Sequence, residues 1–458
     1  MKILKKHQNQ LAVVFMLIVC VLGGWHTYFS ATTALADSNP PASHTVLSAS
    51  PTLATASLSP AETNLISATV YLPLVLSIDT VSPTTINAAY AYLHRMINLY
   101  HADNTLRLVD SYSDNANDQG DTAWVYDNSL IILALLARGD ALDKQQARLL
   151  ADAFVYAQTH DPTYEDGRLR DGYHAARLVN ANGTTNAASY GSSTGNMAWA
   201  MLGLLAVWED SGESVYWESA EKLANWIVTN THDTRGSGGF TGGVDGDNVA
   251  RQWKSAEHNT DLVAAFRRLY QATNDTQWLA HSNHADSFVR SMWHEAQGHF
   301  WTGTTNNGVT PNYYPIPEDT QSWPILSLAN STSYGAGLDW ALANLGVATC
   351  SDAYVGVSGV RFSNGGSGCS FEATAHMALA LRHIGRNLEA QAFLSAMRTV
   401  LITESEMLGG LVAAPPSGAP SGFGFAYPHA AHTGATAWYL LAESGANPFS
   451  VLSTQATK

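Results

Sequence analysis

From about Ile86 onward, apolar residues fall at i, i+3, i+4 and i+7, the spacing of one helix face. The pattern predicts about twelve helices. They cover Ile86–Tyr100, Leu130–Ala137, Ala147–Ala157, Met197–Trp208, Val215–Val228, Leu262–Tyr270, Trp278–Trp293, Thr320–Ala329, Leu338–Leu345, Ala375–Ile384, Ala390–Val400 and Ala435–Leu441. Two kinds alternate. Leu130-Ile131-Ile132-Leu133-Ala134-Leu135-Leu136 is apolar on nearly every face, as a buried helix is. Asp143-Lys144-Gln145-Gln146-Ala147-Arg148 is amphipathic and charged, as a surface helix is.

Each wholly apolar helix is opened by a polar cluster. The clusters are Tyr126-Asp127-Asn128, Ser193-Thr194-Gly195-Asn196, Ala256-Glu257-His258-Asn259, Glu318-Asp319-Thr320-Gln321, Phe371-Glu372-Ala373-Thr374 and His432-Thr433-Gly434-Ala435-Thr436. They recur roughly every 50–70 residues, a period of helical hairpins. The apolar helices make an inner ring and the amphipathic ones an outer ring. Antiparallel hairpins then send every inner N-terminus to the same end. Long Gly-, Asp- and aromatic-rich loops serve that end, such as Gly236–Ser255 and Leu408–Ala431. Tight turns such as Arg138-Gly139-Asp140 serve the other. The expected fold is an all-α (α/α)6 toroid of six helical hairpins over residues 84–450, with an active site at the N-terminal ends of the inner helices.

The first residues read differently. Lys2, Lys5 and Lys6, the apolar run Leu11–Leu22 and Ala34-Leu35-Ala36 form the pattern of a signal peptide over 1–36. Residues 37–83 are rich in Ser, Thr and Pro and read as a linker. Val70–Leu76 is a short β-prone apolar stretch within it. A secreted or cell-surface protein is expected, with no membrane contact after signal cleavage, and a monomer. The 458 residues carry Lys+Arg 23 against Asp+Glu 38, a net charge of −15. That balance speaks against nucleic acid and anionic membranes as partners. Beyond Cys20 in the signal, Cys350 and Cys369 flank a Gly/Ser-rich segment. An exported chain would bridge them, two free thiols being the alternative.

Six stretches carry a resemblance: Val125-Tyr126-Asp127-Asn128-Ser129-Leu130, Ser193-Thr194-Gly195-Asn196-Met197-Ala198-Trp199, Trp253-Lys254-Ser255-Ala256-Glu257-His258-Asn259, Asp319-Thr320-Gln321-Ser322-Trp323, Phe371-Glu372-Ala373-Thr374-Ala375 and Ala435-Thr436-Ala437-Trp438. In these the chain resembles the six-hairpin glycosidase superfamily over nearly all of residues 85–450. The resemblance implies an extracellular enzyme acting on carbohydrate. It carries over no catalytic residue.

Cleaving a glycosidic bond takes two carboxyl groups, one protonated and one ionised. Glu257 is the first candidate, because it opens an inner helix beside His258 and Asn259 and follows Trp253. Asp127, Glu372 and Asp319 open other inner helices. Each could instead stabilise its helix N-terminus. Aromatic planes stack on sugar C–H faces, and amides pair with hydroxyls. On that basis Trp124, Tyr126, Asn128, Tyr173, Asn196, Trp199, Trp253, His258, Asn259, Gln321, Trp323 and His432 are the expected substrate contacts. Trp301, Tyr313, Tyr314 and Trp438 belong to the same aromatic group, of which about half is expected to be ordinary core.

Other motifs are weaker. Gly191-Ser192-Ser193-Thr194-Gly195 matches a nucleophile elbow but lacks the buried strand before it. His281/His284 and His429/His432 are spaced for a metal, yet solvation, capping or sugar contact suits them better. Gly242–Asp247 reads as a solvated turn, because the closing Glu of a calcium loop is absent. No metal or cofactor is expected. A sugar epimerase or isomerase using His258 and His432, a polysaccharide lyase, and a non-catalytic glycan-binding toroid are the competing functions. Fold alone does not separate them.

Overall fold

The computed structural model describes residues 83–101, 103–113 and 121–452. The expected signal peptide and, apart from Pro83, the expected linker with its 70–76 stretch lie outside the described residues. Twelve α-helices follow: α1 (Pro83–Ile97), α2 (Val125–Arg138), α3 (Ala141–Thr159), α4 (Thr194–Ser211), α5 (Ser214–Thr231), α6 (Ala256–Thr273), α7 (Thr276–Ser291), α8 (Asp319–Ser327), α9 (Gly335–Leu345), α10 (Phe371–His383), α11 (Asn387–Thr403) and α12 (Thr433–Ser444). Helices α2, α4, α6, α8, α10 and α12 each pack on the next, and α12 packs back on α2. Helices α3, α5, α7, α9 and α11 back the inner helix before them, while α1 backs α12. This is the expected (α/α)6 toroid, whose sixth hairpin joins the two ends of the domain. Among the described residues, no helix is long and apolar enough to cross a membrane.

The two helix types behave as their patterns require. Every residue from Val125 to Ala137 in α2, and from Thr194 to Val207 in α4, is buried. Helix α3 buries Ala147, Leu150, Ala151 and Phe154 and turns Lys144 and Arg148 outward to meet Asp210 and Glu213. Gly139, Gly212 and Asn274 end α2, α4 and α6 in the left-handed region, with φ of 73°, 74° and 56°. Gly and Asn tolerate that conformation, so three inner-to-outer turns are tight.

The inner helices start earlier than apolar spacing predicts, α2 at Val125 rather than Leu130 and α6 at Ala256 rather than Leu262. Their first turns are polar, so the spacing does not register them. The six clusters are therefore first turns of helices. Among the described residues, the strands in the loops between hairpins are short and antiparallel, such as 122–124 with 172–174 and 172–174 with 187–189. Cys350 and Cys369 are bridged, with Cα atoms 5.3 Å apart, and Gly359 packs against both sulfurs.

One hydrogen-bond pattern repeats around the whole ring. The N–H at the start of each inner helix, on its first residue or for α8 on the residue just before it, donates to a carbonyl in the loop that feeds the next inner helix. The pairs are Val125 to Asp171, Thr194 to Gly242, Ala256 to Thr302, Glu318 to Phe362, Phe371 to Ala413 and Thr433 to Ser111, at 2.8–3.4 Å. The last pair closes the circle. These N–H groups have no partner within their own helix, so the neighbouring loop satisfies them.

A second contact holds the same loops two residues earlier. Asn128 accepts from the Val109 N–H at 2.7 Å and donates to its carbonyl at 3.0 Å. Asn259 does the same to Phe240, at 2.8 and 3.0 Å. Gln321 does it to Phe300, at 2.9 Å for both bonds. The Thr374 and Thr436 hydroxyls accept from Val360 and Leu411. In α4 the arrangement differs: Asn196 donates to the Asp171 carboxylate, which also accepts from the Ser193 N–H.

Asn259→Ala would leave the buried Phe240 N–H and carbonyl without partners. The expected cost is about 2–4 kcal/mol, read from the urea midpoint at constant m-value. A variant as stable as the parent would show that this amide does not hold the loop.

Candidate active site

The ring of hydrogen bonds fixes the rotation of each inner helix, so equivalent residues face one interior. Directly after the locked N–H come Tyr126, Gly195, Glu257, Asp319, Glu372 and Gly434. One turn deeper, the same faces carry Leu130, Trp199, Asp261, Trp323, His376 and Trp438. These side chains meet across the ring. The Tyr126 hydroxyl on α2 donates to Glu372 Oε1 on α10 at 2.7 Å. Trp438 Nε1 on α12 donates to that hydroxyl at 2.7 Å. Trp199, Trp323 and Trp438 pack with centroids 5.3–5.8 Å apart, and Phe449 seals against the first two. The deeper layer is thus a largely aromatic floor under a polar upper layer.

Two upper positions are glycine for a steric reason. A Cβ on Gly195 would lie 2.5 Å from His258 Cδ2, and one on Gly434 would lie 2.3 Å from Asp127 Oδ1. The missing side chains let His258 and Asp127 reach inward past their neighbours.

Three consecutive inner helices, α6, α8 and α10, therefore present Glu257, Asp319 and Glu372 in one layer. Asp261 lies below the first, and Glu318 precedes the second. All five are buried, and each keeps at least one oxygen without a hydrogen-bond partner in the protein. Burial, reinforced by Asp319, Asp261 and Glu372, pushes the Glu257 carboxyl well above its ordinary value. Burial does the same to Asp261 and Glu318, each with Asp319 adding to it. Asp319 is also raised by burial, against a backbone N–H that favours its ionised form. Glu372 is pushed up to about 7 by burial, which the nearby His432 opposes.

The histidines divide into two kinds. His258 is pushed down to about 3 by burial, and neither of its ring nitrogens has a partner. His376 is held well below its ordinary value by burial, with Nδ1 3.2 Å from Glu318 Oε2. His432 differs. Its Nδ1 accepts from the Ala435 N–H, so Nε2 carries the proton and faces Asp127 at 3.4 Å. Burial opposes a charge on this ring, but Asp127 and Glu372 outweigh it and raise His432. Tyr112 stacks on the ring at 4.6 Å.

The candidate carboxyl groups Glu257, Asp319, Glu372 and Asp127 thus all stand at the same end of the ring. Tyr126, His258 and His432 share that interior, and Trp199 and Trp323 lie in its floor. Trp253 packs against His258 with ring centroids 5.6 Å apart and planes tilted by 56°. Asn128, Asn259 and Gln321 do not fit the expectation of sugar contacts. Their amides are committed to loop backbone. Asn196 is half committed, since its Oδ1 has no partner. The Tyr173 hydroxyl accepts from the Arg170 N–H inside a small sheet, and Trp124 is buried at the start of α2. Both support the loop wall. The Ser193 hydroxyl donates to Asp171 and accepts from Arg251, so it is tied between a carboxylate and a guanidinium and is not a poised nucleophile.

The sequence reading passed over Asp261, His376, Glu318, Tyr112 and Tyr427. Asp261 and His376 carried a usable signal, each lying four residues after a chosen glutamate and so on the same helix face. Glu318 lay beside Asp319 in a cluster already singled out. Tyr112 and Tyr427 come from loops and carried none. The Tyr427 hydroxyl is buried and unpartnered, in the field of Glu372, Asp319 and Glu257.

No family model matches the chain, and no curated protein does. Solved structures do match. A glycosidase in complex with glucose aligns with a TM-score of 0.55 at 11% identity, covering 80% of this chain and 98% of that one. A glycoside hydrolase family 76 mannosidase from Bacteroides thetaiotaomicron aligns at 0.56 and 11%, covering 79% and 98%. An alpha-amylase from Clostridium perfringens aligns at 0.56 and 10%, covering 79% and 97%. At such identities the likeness is one of fold alone.

Proposed function

We propose that the chain is an exported glycoside hydrolase, with Glu257 as general acid and Glu372 as the ionised partner. The observation that carries this reading is the layer of three buried carboxyl groups on α6, α8 and α10. Glu257 has a free oxygen and the stronger push toward its neutral form, which suits a proton donor to the glycosidic oxygen. Glu372 receives a hydrogen bond from Tyr126, itself backed by Trp438, which favours the carboxylate. That carboxylate would activate water or attack the anomeric carbon. Asp319, on the helix between them, keeps Glu257 protonated by its own charge when ionised. His432 favours the ionised form of Glu372, whereas the nearby Asp127 carboxyl opposes it. The glycosidase names of neighbours with this fold support the reaction class. The bridged cysteines and the signal-like N-terminus support export.

An epimerase would use His258, whose neutral, unpartnered ring suits proton transfer, and product analysis separates the two. Epimerisation releases no new reducing end. The inward positions of the six helices hold no Lys or Arg, which counts against a polyanionic lyase substrate.

On a panel of neutral oligosaccharides, reducing-sugar release is expected from the parent. Glu257→Gln and Glu372→Gln should each lower kcat by roughly 10²-fold or more while substrate still binds. The kcat/KM of the parent should fall as pH drops below about 7, because Glu372 becomes protonated. Near-native turnover in Glu257→Gln would remove it from the reaction.

Stability gives a second test. Glu257 is raised on folding, so the folded state holds its proton more tightly than the unfolded chain does. The associated stability is full below the unfolded pKa near 4.5 and is lost as pH rises toward the folded value. Glu257→Gln should match the parent at pH 4 and exceed it at pH 8 by at least about 1 kcal/mol. Equal midpoints at both pH values would mean that Glu257 is not held protonated.

A further inference from the structure

Outside the central interior, a cleft of about 500 Å³ opens between outer helix α9 and the loop that feeds α8. It shares no lining residue with the carboxyl layer. Trp301, Tyr313, Trp340 and His299 form its aromatic surface, and Gln297 and Asn344 bring side-chain amides to its edge. Trp340 stacks on His299 with centroids 4.6 Å apart. Trp301 stands at nearly right angles to both His299 and Tyr313, at 4.4 and 4.8 Å. The result is an angular aromatic wall and not a closed core cluster. Tyr313 is 55% exposed, and its neighbour Tyr314 is 60% exposed.

The lining has no acidic or basic side chain except His299, which is buried and whose pKa burial lowers. Neither His299 ring nitrogen has a hydrogen-bond partner of good geometry. A ligand for such a surface is uncharged, has flat apolar faces and carries hydroxyl groups at its rim. A pyranose ring meets all three conditions. Its C–H faces cover aromatic planes, and its hydroxyls pair with the side-chain amides at the rim. A charged ligand would find no counter-ion here. An aliphatic ligand would cover the amides at the rim without pairing them, at a cost.

We infer that this cleft is a second carbohydrate-binding site, on the flank of the ring, which holds a neutral glycan chain away from the carboxyl groups. It rests on the glycoside reading only for the choice of probe, because binding is measured apart from cleavage. The site would retain a polymer near the enzyme while another part of the chain enters the central interior. Its effect therefore falls on polymeric substrates and spares short ones.

The test is affinity electrophoresis of the full mature chain in gels holding soluble starch, α-mannan or dextran. Trp301→Ala, Trp340→Ala and Tyr313→Ala are compared with the parent, and thermal unfolding checks that each variant folds. Tyr313 is exposed, so its truncation leaves the core intact. The parent is expected to be retarded by at least one polysaccharide. Glu257→Gln should be retarded equally, which separates this binding from catalysis. Each cleft variant should bind roughly tenfold more weakly, the scale of one lost aromatic contact, with unchanged kcat/KM on a short aryl glycoside. Retardation that survives Trp301→Ala and Tyr313→Ala, or no retardation of the parent in any of the three gels, would overturn the inference. Retardation lost in Glu257→Gln but kept in the cleft variants would assign all glycan binding to the central interior.

Discussion

Everything at the candidate site depends on a circle of hydrogen bonds between each inner helix and the next loop. A helix N-terminus has N–H groups that its own backbone cannot satisfy. Here the first of them is used as a joint. Six such joints run in one direction, and the bond from Thr433 to Ser111 closes the circle across the two ends of the domain. The side-chain clamps from Asn128, Asn259, Gln321, Thr374 and Thr436 grip the same loops two residues earlier. Two attachments per loop fix both the height and the rotation of each inner helix. The inward face then follows from helical geometry, with one residue per helix in the upper layer and another, four residues on, beneath it.

That geometry explains how so many acids share one interior. Five buried carboxyl groups on neighbouring helices oppose one another, and burial alone disfavours their charged forms. Such a cluster is unstable unless the surrounding frame over-determines it. The frame here is an inner ring of helices buried on all faces, an aromatic floor and a closed ring of backbone bonds. The strain is local to the site. It takes the form of unpartnered carboxyl oxygens and raised proton affinity, two properties that a proton donor to an ether oxygen requires. The two glycines, Gly195 and Gly434, belong to the same design. They give up side chains so that His258 and Asp127 can enter the interior from adjacent helices.

The toroid was legible because its two helix types differ in a property that sequence carries directly. Leu130–Leu136 has no polar face and Asp143–Arg148 has one, and the alternation of the two defines the rings. The six polar clusters were legible as positions but not as roles. A first-turn residue can face the ring axis or reach sideways to a loop, and those directions differ by one or two places in the helix. Glu257 faces inward and Asn259, two residues on, faces a loop. Both stand in the same tetrapeptide, and nothing in the composition of Ala256-Glu257-His258-Asn259 separates them. The separation comes from the rotation that the neighbouring loop imposes. Asp261 and His376 were within reach of a simple i+4 rule, whereas Tyr427 arrives from a loop whose path only the folded chain defines.

The most direct measurement is a crystal structure of Glu257→Gln soaked with the oligosaccharide that the parent cleaves. The account predicts a sugar chain entering the ring between the N-termini of α6 and α10. Its glycosidic oxygen would lie within hydrogen-bond distance of the residue 257 amide, with the anomeric carbon facing Glu372. An oligosaccharide bound only outside the ring, or one whose scissile bond lies against Asp127 and His432 with residue 257 out of reach, would contradict it.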